Sequence, residues 1–363
     1  MVDLDDFLKQ YSGKKVFLTG HTGFKGSWML QILSMYGANV KGYSLPPING
    51  NNLFDSINGN QICESIIADI RDGKKLKDEI ISFQPDFIFH FAAQPLVLYS
   101  YENTLETYEV NVIGTVNILE SLKCLSNKCT AILVTTDKVY KNHEWDYPYR
   151  ENDQLGGHDP YSASKACSEL VIDSYRTSFF HPSKFDQHNK AIAAVRAGNV
   201  IGGGDWSENR LIPDIIKSLI TNNKLIIRNP GSIRPWQHVL EPIIGYLRLG
   251  VFLANDPLKF STAFNFGPSS NDALNVKQIV ELAIDAWGSG TYDFSNAEIS
   301  NHEAGILKLD ISKATSYLGW IPKLDAPQAL NLTMDWYKQY YNNKEGVIEF
   351  TKNQIFNYIS SIN

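Results

Sequence analysis

The sequence has few cysteines, no excess of basic residues and no long apolar segment. Its four cysteines, Cys63, Cys124, Cys129 and Cys167, show no CxxC spacing. We therefore predict no metal site, and we expect reduced thiols in a cytoplasmic protein. Lys and Arg total 33 against 39 Asp and Glu, a formal net charge of -6, which excludes a broad basic surface for nucleic acid or an anionic membrane. No run of about eighteen apolar residues is present, and the N-terminus carries no apolar signal segment, so no membrane association is expected.

What is present is a chain of 363 residues with 43% hydrophobic content, enough for one large or two smaller domains. Short apolar runs alternate with helical patterns, which is typical of an α/β protein with a Rossmann-type doubly wound parallel sheet. The predicted strands are residues 14–19, 39–43, 66–68, 87–91, 131–134, 191–195 and 264–268. We assign residues 1–195 to a dinucleotide-binding domain, with later returns near 238–268. Residues 196–363 are assigned mainly to a smaller C-terminal substrate-binding lobe.

A glycine-rich turn, GHTGFKG at residues 20–26, follows the first predicted strand and precedes a helix predicted over 27–33. A helix N-terminus with free backbone N–H groups in this position is suited to the pyrophosphate of a dinucleotide. The spacing is GxxGxxG instead of GxGxxG, and a plain turn is the alternative. The side chains of His21 and Lys25 are either donors near the phosphates or solvated loop groups. The cofactor contacts expected in this turn are Gly20, His21, Gly23, Phe24, Lys25 and Gly26.

Further cofactor contacts are expected where later strands end. Asp69, beside Ile70, is placed either to contact an adenine or to cap a helix. Small residues follow the fourth strand, and His90 within that strand is interpreted as a core histidine. No acidic residue follows the second strand, where NAD-binding folds usually carry one, so the sequence does not separate NAD from NADP. These further predicted contacts are Asp69, Ile70, Ala92, Ala93, Gln94, Thr135, Tyr161, Lys165 and Asn111, the last of which interrupts a helix predicted over 107–125.

Reactive side chains follow the fifth predicted strand and recur on the next helix. Thr135, Thr136, Asp137 and Lys138 stand where a buried strand emerges, which is where chemistry sits in an open α/β sheet. About twenty residues later, Tyr161 and Lys165 have i, i+4 spacing and share one helix face. Either motif alone is compatible with a solvated junction or a surface pair. Together, downstream of the glycine turn, they predict an active site.

The second half of the chain supplies cationic and aromatic groups. Residues 196–206 form a glycine-rich loop, and long loops in compact domains are usually functional. Arg234 begins the segment RPWQH, which suits an anionic, ring-bearing ligand, with Arg210 as a second cation. A solvated surface position is the alternative for each arginine. The predicted substrate contacts are Asn199, Arg210, Arg234 and His238.

Taken together, the glycine turn, the TTDK strand end, Tyr161-x-x-x-Lys165 and the loop AGNVIGGGDW at 197–206 resemble the extended short-chain dehydrogenase/reductase family. The resemblance covers about residues 14–322. It implies NAD as the cofactor, with NADP not excluded, and a nucleotide-sugar substrate that undergoes 4,6-dehydration, with CDP-glucose as the implied substrate. It also implies a homodimer or higher homo-oligomer, in which the helix over 107–125 and the helix bearing Lys165 pack on a second subunit; burial of both helices within a monomer is the alternative.

The same resemblance implies a role for each reactive residue. Tyr161, its phenol made more acidic by Lys165, takes the proton of the sugar 4-hydroxyl, which Thr136 holds. Asp137 is the acid at C6. Lys138 stands where related dTDP-glucose dehydratases carry the glutamate that acts at C5, which argues against dTDP-glucose and leaves the C5 base open.

Two other functions remain open from the sequence. A 4-epimerase of the same fold needs only Tyr161 and Lys165, and it leaves Asp137 and Lys138 without a task. A cofactor-binding regulatory protein keeps the site without turnover.

Overall fold

The computed structural model describes residues 4–227, 229–269, 272, 274–294 and 306–361. Its strands are β1 (Lys15–Thr19), β2 (Asn39–Ser44), β3 (Glu64–Ile67), β4 (Phe87–His90), β5 (Cys129–Val134), β6 (Lys190–Ala197), β7 (Val200–Ile201), β8 (Leu225–Ile227), β9 (Ile233–Arg234), β10 (Gln237–His238), β11 (Ala263–Phe266), β12 (Leu274–Asn275) and β13 (Tyr292–Phe294). Seven of them form one parallel sheet in the order β11-β6-β5-β4-β1-β2-β3. The predicted doubly wound parallel sheet is therefore confirmed.

The order of the strands indicates at which edge of the sheet a ligand can bind. Strands β4, β5 and β6 are buried along their whole length, as the central strands of a parallel sheet are when helices cover both faces. Strand β1 pairs with β2 on one side and β4 on the other, so the chain order reverses there. Ligands of open α/β sheets bind at the carboxyl ends of strands beside such a switch point.

Helices cover both faces of the sheet. They are α1 (Leu4–Lys9), α2 (Phe24–Met35), α3 (Leu53–Ser56), α4 (Gly59–Ile62), α5 (Gly73–Phe83), α6 (Val97–Glu102), α7 (Thr104–Tyr108), α8 (Gly114–Lys123), α9 (Pro160–Ser178), α10 (Phe185–His188), α11 (Leu211–Thr221), α12 (Leu240–Asn255), α13 (Pro257–Phe260), α14 (Val276–Trp287), α15 (Ser312–Leu318), α16 (Ala326–Asn342) and α17 (Val347–Ser360). One core joins α2 and α12 to the sheet, and a second joins α5, α8 and α9 to the opposite face.

The helix predicted over 107–125 is not a continuous α-helix. It consists of α7, a π-helical turn at Glu109–Ile113, and α8. The π-helical turn contains Asn111, which is 1% exposed. Its side chain accepts a hydrogen bond from the Gln94 backbone N–H at 2.9 Å and donates to Ser164 Oγ at 2.8 Å. These inward hydrogen bonds join Asn111 to the loop after β4 and to α9, and π-helical turns commonly occur at functional sites.

The second half of the chain returns to the sheet and then builds an aromatic cluster. Strand β11 pairs with β6, and α16 places Trp336 and Tyr337 against the loop that follows β7. Trp206 lies edge-on to both rings, and the Asp205 backbone N–H donates to the Tyr337 hydroxyl at 3.0 Å. The C-terminal helices therefore hold this loop in place.

All four cysteines are free. Within the described part of the chain, no helix combines the length and the apolar character needed to span a lipid bilayer.

Candidate active site

The reactive residues after β5 form a compact turn. Thr136 is extended and caps a short 3₁₀ helix, Asp137–Val139. Its hydroxyl donates to Asp137 Oδ1 at 2.9 Å, and it lies close enough to the phenol of Tyr161 to lower the pKa of that phenol. Thr136, Asp137 and Tyr161 are each at least nine-tenths buried. The structure therefore brings three of the predicted catalytic side chains together.

Helix α9 presents Tyr161 and Lys165 to this turn because its N-terminus is firmly fixed. Asp159 caps the helix by accepting the Ser162 backbone N–H at 2.9 Å, and Pro160 occupies its first turn. One turn after Tyr161, Lys165 Nζ donates to the Val134 carbonyl at 2.9 Å. Lys165 thus ties the helix to the end of β5.

Burial dominates the electrostatics of Tyr161. It raises the pKa of Tyr161 to about 12, against the lowering effects of the neighbouring Thr136 hydroxyl and the charge of Arg210. Lys165 binds the Val134 carbonyl, and burial lowers the pKa of Lys165 to about 8. Lys165 is thus held one turn from Tyr161 on the same helix, and its expected effect on the acidity of the phenol stays a prediction.

Asp137 is held as a potential proton donor. Burial raises the pKa of its carboxyl group, although the charges of Lys138, Lys25 and Arg234 oppose that shift. Gly198 backs this carboxyl so closely that a Cβ at that position would lie 2.6 Å from Asp137 Oδ2. A carboxyl with a raised pKa, enclosed by protein, is what acid catalysis near neutral pH requires.

The glycine turn after β1 fits a dinucleotide. Gly20 has a φ of +73°, and a Cβ there would lie 2.8 Å from the Ala92 backbone nitrogen, so the turn can approach the loop after β4 only as glycine. Helix α2 begins at Phe24, three residues earlier than predicted, and its N-cap, Gly23, makes no side-chain capping bond. A bare helix N-terminus in this position is suited to receive a phosphate.

His21 and Lys25 of this turn point in different directions. The His21 ring is fully buried against Phe54 and directly over Gly42, and its Nε2 lies 2.7 Å from Ser65 Oγ. Burial lowers the pKa of His21 to about 4, so its predicted role as a charge or donor for phosphates is not supported. Lys25 is half-buried, and its charge acts on Asp137 at the reaction centre.

The predicted adenine end is already rich in hydrogen bonds. Asp69 accepts the Arg71 backbone N–H at 2.8 Å and two guanidinium N–H groups at 3.0 and 2.6 Å. Ile70 packs on Gly114. At the end of β2, NAD-binding folds usually carry an acidic residue. This chain has Ser44 there, and the Ser44 hydroxyl lies 2.8 Å from Thr22 Oγ1.

Further predicted cofactor residues lie after β4, in the π-turn and after β5. Ala92, Ala93 and Gln94 are half-buried after β4. The Asn111 side chain holds this loop to α9. Thr135 turns its hydroxyl away from the turn, toward Glu169 Oε1 at 2.5 Å.

The predicted substrate residues divide into two groups. Arg234 lines a small cleft with Pro235, Pro268 and Leu309, and its charge acts on Asp137. Arg210 lies 3.4 Å from an Asp205 carboxylate oxygen.

Asn199 and His238 differ from these arginines. Asn199 is half-buried, and its backbone carbonyl accepts a hydrogen bond from the Gln237 backbone N–H. His238 is fully buried with its ring edge-on to Trp28. The prediction that His238 contacts substrate is therefore not supported, because packing on α2 removes it from the cleft.

The sequence predictions missed a buried ion pair behind the catalytic turn. Glu169 and Arg196 are each 4% exposed at their side chains and lie 2.8 Å apart. The signal that was available is the i, i+4 spacing of Glu169 from Lys165, which extends the Tyr-x-x-x-Lys pattern by one turn of α9.

Comparison with known proteins agrees with this arrangement. The family model described as GDP-mannose 4,6 dehydratase matches residues 17–257. The chain is 48% identical to the CDP-glucose 4,6-dehydratase of Salmonella typhimurium over 351 residues, which covers 97% of this chain and 98% of that one. It is 26% identical to the CDP-paratose 2-epimerase of Salmonella typhi, over 89% of this chain and 98% of that one.

Among solved structures, the dTDP-glucose 4,6-dehydratase of Bacillus anthracis, in complex with NAD, superposes with a TM-score of 0.75 at 22% identity, over 91% of this chain and 98% of that one. The sheet and its strand-end site therefore define an extended short-chain dehydrogenase/reductase. Within that class, the chain belongs to the GDP-mannose 4,6 dehydratase family.

Proposed function

We propose that this chain is a nucleotide-sugar 4,6-dehydratase that uses NAD and acts on CDP-glucose, as its 48% identical relative is named. The observation that carries the proposal is the buried cluster of Thr136, Asp137 and Tyr161, in which the turn after β5 and helix α9 bring a proton donor and a proton acceptor together. An oxidation at C4 alone has no use for a buried carboxyl with a raised pKa. The four cysteines of the chain are free thiols, as expected for a protein of the reducing cytoplasm.

NAD would bind at the switch point of the sheet. The turn of Gly20, Gly23 and Gly26 would receive its pyrophosphate, and Asp69 and Ile70 would hold its adenine end. When bound, NAD supplies the reversible hydride acceptor that a redox-neutral dehydration needs.

The chain's own residues handle the protons. Tyr161 takes the proton of the sugar 4-hydroxyl, and the Thr136 hydroxyl, which lies beside Tyr161, holds that sugar hydroxyl in place. Asp137, protonated, gives its proton to the C6 hydroxyl so that water departs. Lys138, half-buried and adjacent to Asp137, is the candidate to remove the C5 proton, for which its amine must first be uncharged.

The substrate lies on the side formed mainly by residues 196–363. Arg234 lines the cleft, and Arg210 is on the same side, near enough to lower the pKa of Tyr161. Two guanidinium groups are suited to a diphosphate, which they bind through paired N–H donors. We assign both arginines to the nucleotide diphosphate of the substrate.

The exposed apolar residues of α7, the π-turn and α9 support a proposal for the quaternary structure. Leu105 is 74% exposed, Ile113 48% and Leu170 60%. Large apolar side chains clustered on adjacent helices mark a protein–protein interface. We propose that this face joins two copies of the chain in a homodimer.

The test is incubation of the protein and NAD with CDP-, UDP-, dTDP- and GDP-glucose, followed by mass spectrometry. The account predicts a product lighter by one water, formed fastest from CDP-glucose. A product of unchanged mass indicates a 4-epimerase, and binding of all four sugars without conversion indicates a regulatory protein.

A further inference from the structure

The buried pair of Arg196 and Glu169 lies directly behind the catalytic turn. Arg196 Nε donates to Glu169 Oε1 at 2.8 Å, and its NH2 group donates to Oε2 at 3.0 Å. Both side chains are 4% exposed. The two parallel hydrogen bonds form the bidentate arrangement that fixes a carboxylate in both position and orientation.

Glu169 contacts one catalytic element and lies beside another. Thr135 Oγ1 donates to Glu169 Oε1 at 2.5 Å, and Thr135 precedes Thr136 and Asp137 in the chain. Lys165 is four residues before Glu169 on α9, so their Cβ atoms are roughly 5–6 Å apart. The carboxylate of Glu169 favours the charged form of Lys165 and so raises its pKa, against the effect of burial.

Arg196 extends the same network toward the substrate side. Its NH1 group donates to the Tyr140 hydroxyl at 2.7 Å, and that hydroxyl donates to Asn265 Oδ1 at 2.7 Å. The Asn265 amide in turn donates to the Asp310 carbonyl at 3.1 Å. Asp310 follows Leu309, which lines the cleft. One chain of hydrogen bonds therefore joins α9, β5, β6, β11 and the cleft wall.

We propose that Glu169, held by Arg196, is a positioning residue that keeps Lys165 charged and fixes the Thr135–Asp137 turn for dehydration. The inference rests on the proposed function for its effect on turnover. Its effect on Lys165 rests on the one-turn spacing of the two residues on α9 and on the Arg196 hydrogen bonds that hold the Glu169 carboxylate, so this effect does not depend on turnover.

The charged and titratable groups around Lys165 make Glu169 the source of this effect. On α9 itself, Tyr161 and Glu169 lie one turn to either side. Lys25 faces Lys165 from the glycine turn and His90 from β4. Burial lowers the pKa of His90 to about 3, so that ring is neutral, and Lys25 carries the same charge as Lys165. Among the described residues that act on Lys165, Glu169 supplies the opposite charge.

The experiment compares Glu169→Gln with Glu169→Asp. Glutamine keeps the shape and one acceptor oxygen but removes the charge, whereas aspartate keeps the charge but is too short to reach Thr135. In the pH profile of kcat with CDP-glucose, we expect Glu169→Gln to shift the alkaline limb to lower pH by about one unit or more. We expect Glu169→Asp to lower kcat at every pH without moving that limb.

A second measurement does not depend on turnover. Protein labelled with ¹³C at lysine Cε, with the Lys165 signal assigned through Lys165→Arg, gives the titration midpoint of Lys165 by NMR. We expect a lower midpoint in Glu169→Gln than in the wild type. An unchanged midpoint would overturn the inference, even if the wild type converts no nucleotide sugar, and such inactivity would count only against the proposed function.

The substitution leaves Arg196 buried without its counter-charge, so Glu169→Gln can fail to fold. In that case Glu169→Gln/Arg196→Met replaces it, since no cation then remains buried alone. A drop in the Lys165 midpoint is again expected, smaller than in the single variant because a neighbouring cation is removed with the anion. If kcat falls by the same factor at every pH and the midpoint does not move, Glu169 has a structural role only.

Discussion

At the scale of single residues, the account depends on where protons are held. Asp137 has a raised pKa because burial outweighs the cations near it. A raised pKa in the native state means that the ionised carboxylate is disfavoured there. The contribution of Asp137 to stability is therefore fully present at pH values below the pKa of a free carboxyl group. That contribution is lost as the pH rises through the pKa of Asp137 in the folded protein.

We predict that Asp137→Asn abolishes water loss and stabilises the fold in a pH-dependent way. The amide cannot give a proton to the C6 hydroxyl, so product formation should fall by about 10²- to 10⁴-fold. Because the amide does not ionise, the melting temperature should exceed that of the wild type at pH 8, and the difference should shrink at pH 4. Melting curves at both values test this, and an equal offset at both would contradict the burial argument.

The phenol of Tyr161 gives a second prediction at this scale. Tyr161→Phe keeps the shape of the ring but removes the group that takes the 4-hydroxyl proton. Binding of cofactor and CDP-glucose, measured by calorimetry, should remain, while kcat falls about 10²- to 10⁴-fold. Activity within about tenfold of the wild type would remove Tyr161 from the mechanism.

Residue identity was predictable from sequence, whereas side-chain direction was not. Tyr161 and Lys165 were predicted from their i, i+4 spacing on one helix, and Asp137 was predicted from its position after a buried strand. His21 turns inward because Gly42 and Phe54, distant in sequence, provide the space for its ring. Lys165 reaches the Val134 carbonyl for a similar reason: the packing of α9 on β5 decides its partner.

At the scale of elements, the loop after β7 depends on the C-terminal helices. Gly203 touches Trp336 so closely that a Cβ there would lie 2.0 Å from the Trp336 ring, and its carbonyl accepts Trp28 Nε1–H at 2.9 Å. The sequence indicated a functional loop from its length and glycine content. It gave no sign that residues more than a hundred positions later hold the loop.

We predict that Gly203→Ala destabilises the fold, since the added methyl group has no room beside Trp336. Overpacking of this kind typically costs about 1–3 kcal/mol. Gly231→Ala is the matched control, because a Cβ there meets nothing within 4 Å. Denaturant unfolding of both variants tests the contact, and equal stability of the two would show that Trp336 does not restrict the loop.

At the scale of the whole molecule, α9 links the active site to the proposed dimer face. It carries Tyr161 and Lys165 toward the sheet and leaves Leu170 60% exposed. The pattern of α9 predicted the helix and its catalytic face. The sequence left open whether the other face packs within the monomer, because burial depends on which elements surround the helix.

We predict that Leu170→Glu converts a dimer into monomers, because two carboxylates would face each other across an apolar interface. Sedimentation velocity measures the mass directly. Leu258→Glu is the control: Leu258 is 69% exposed but lies on α13, away from this face, and its variant should remain dimeric. Dissociation of both variants, or of neither, would contradict the assigned interface.

The central claim, a redox-neutral dehydration within one active site, is tested most directly with CDP-glucose that carries deuterium at C4. The account predicts a product lighter by one water that retains the deuterium at C6, with no exchange between labelled and unlabelled molecules in a mixed incubation. Loss of the deuterium to solvent, or a labelled product of unchanged mass, would contradict it.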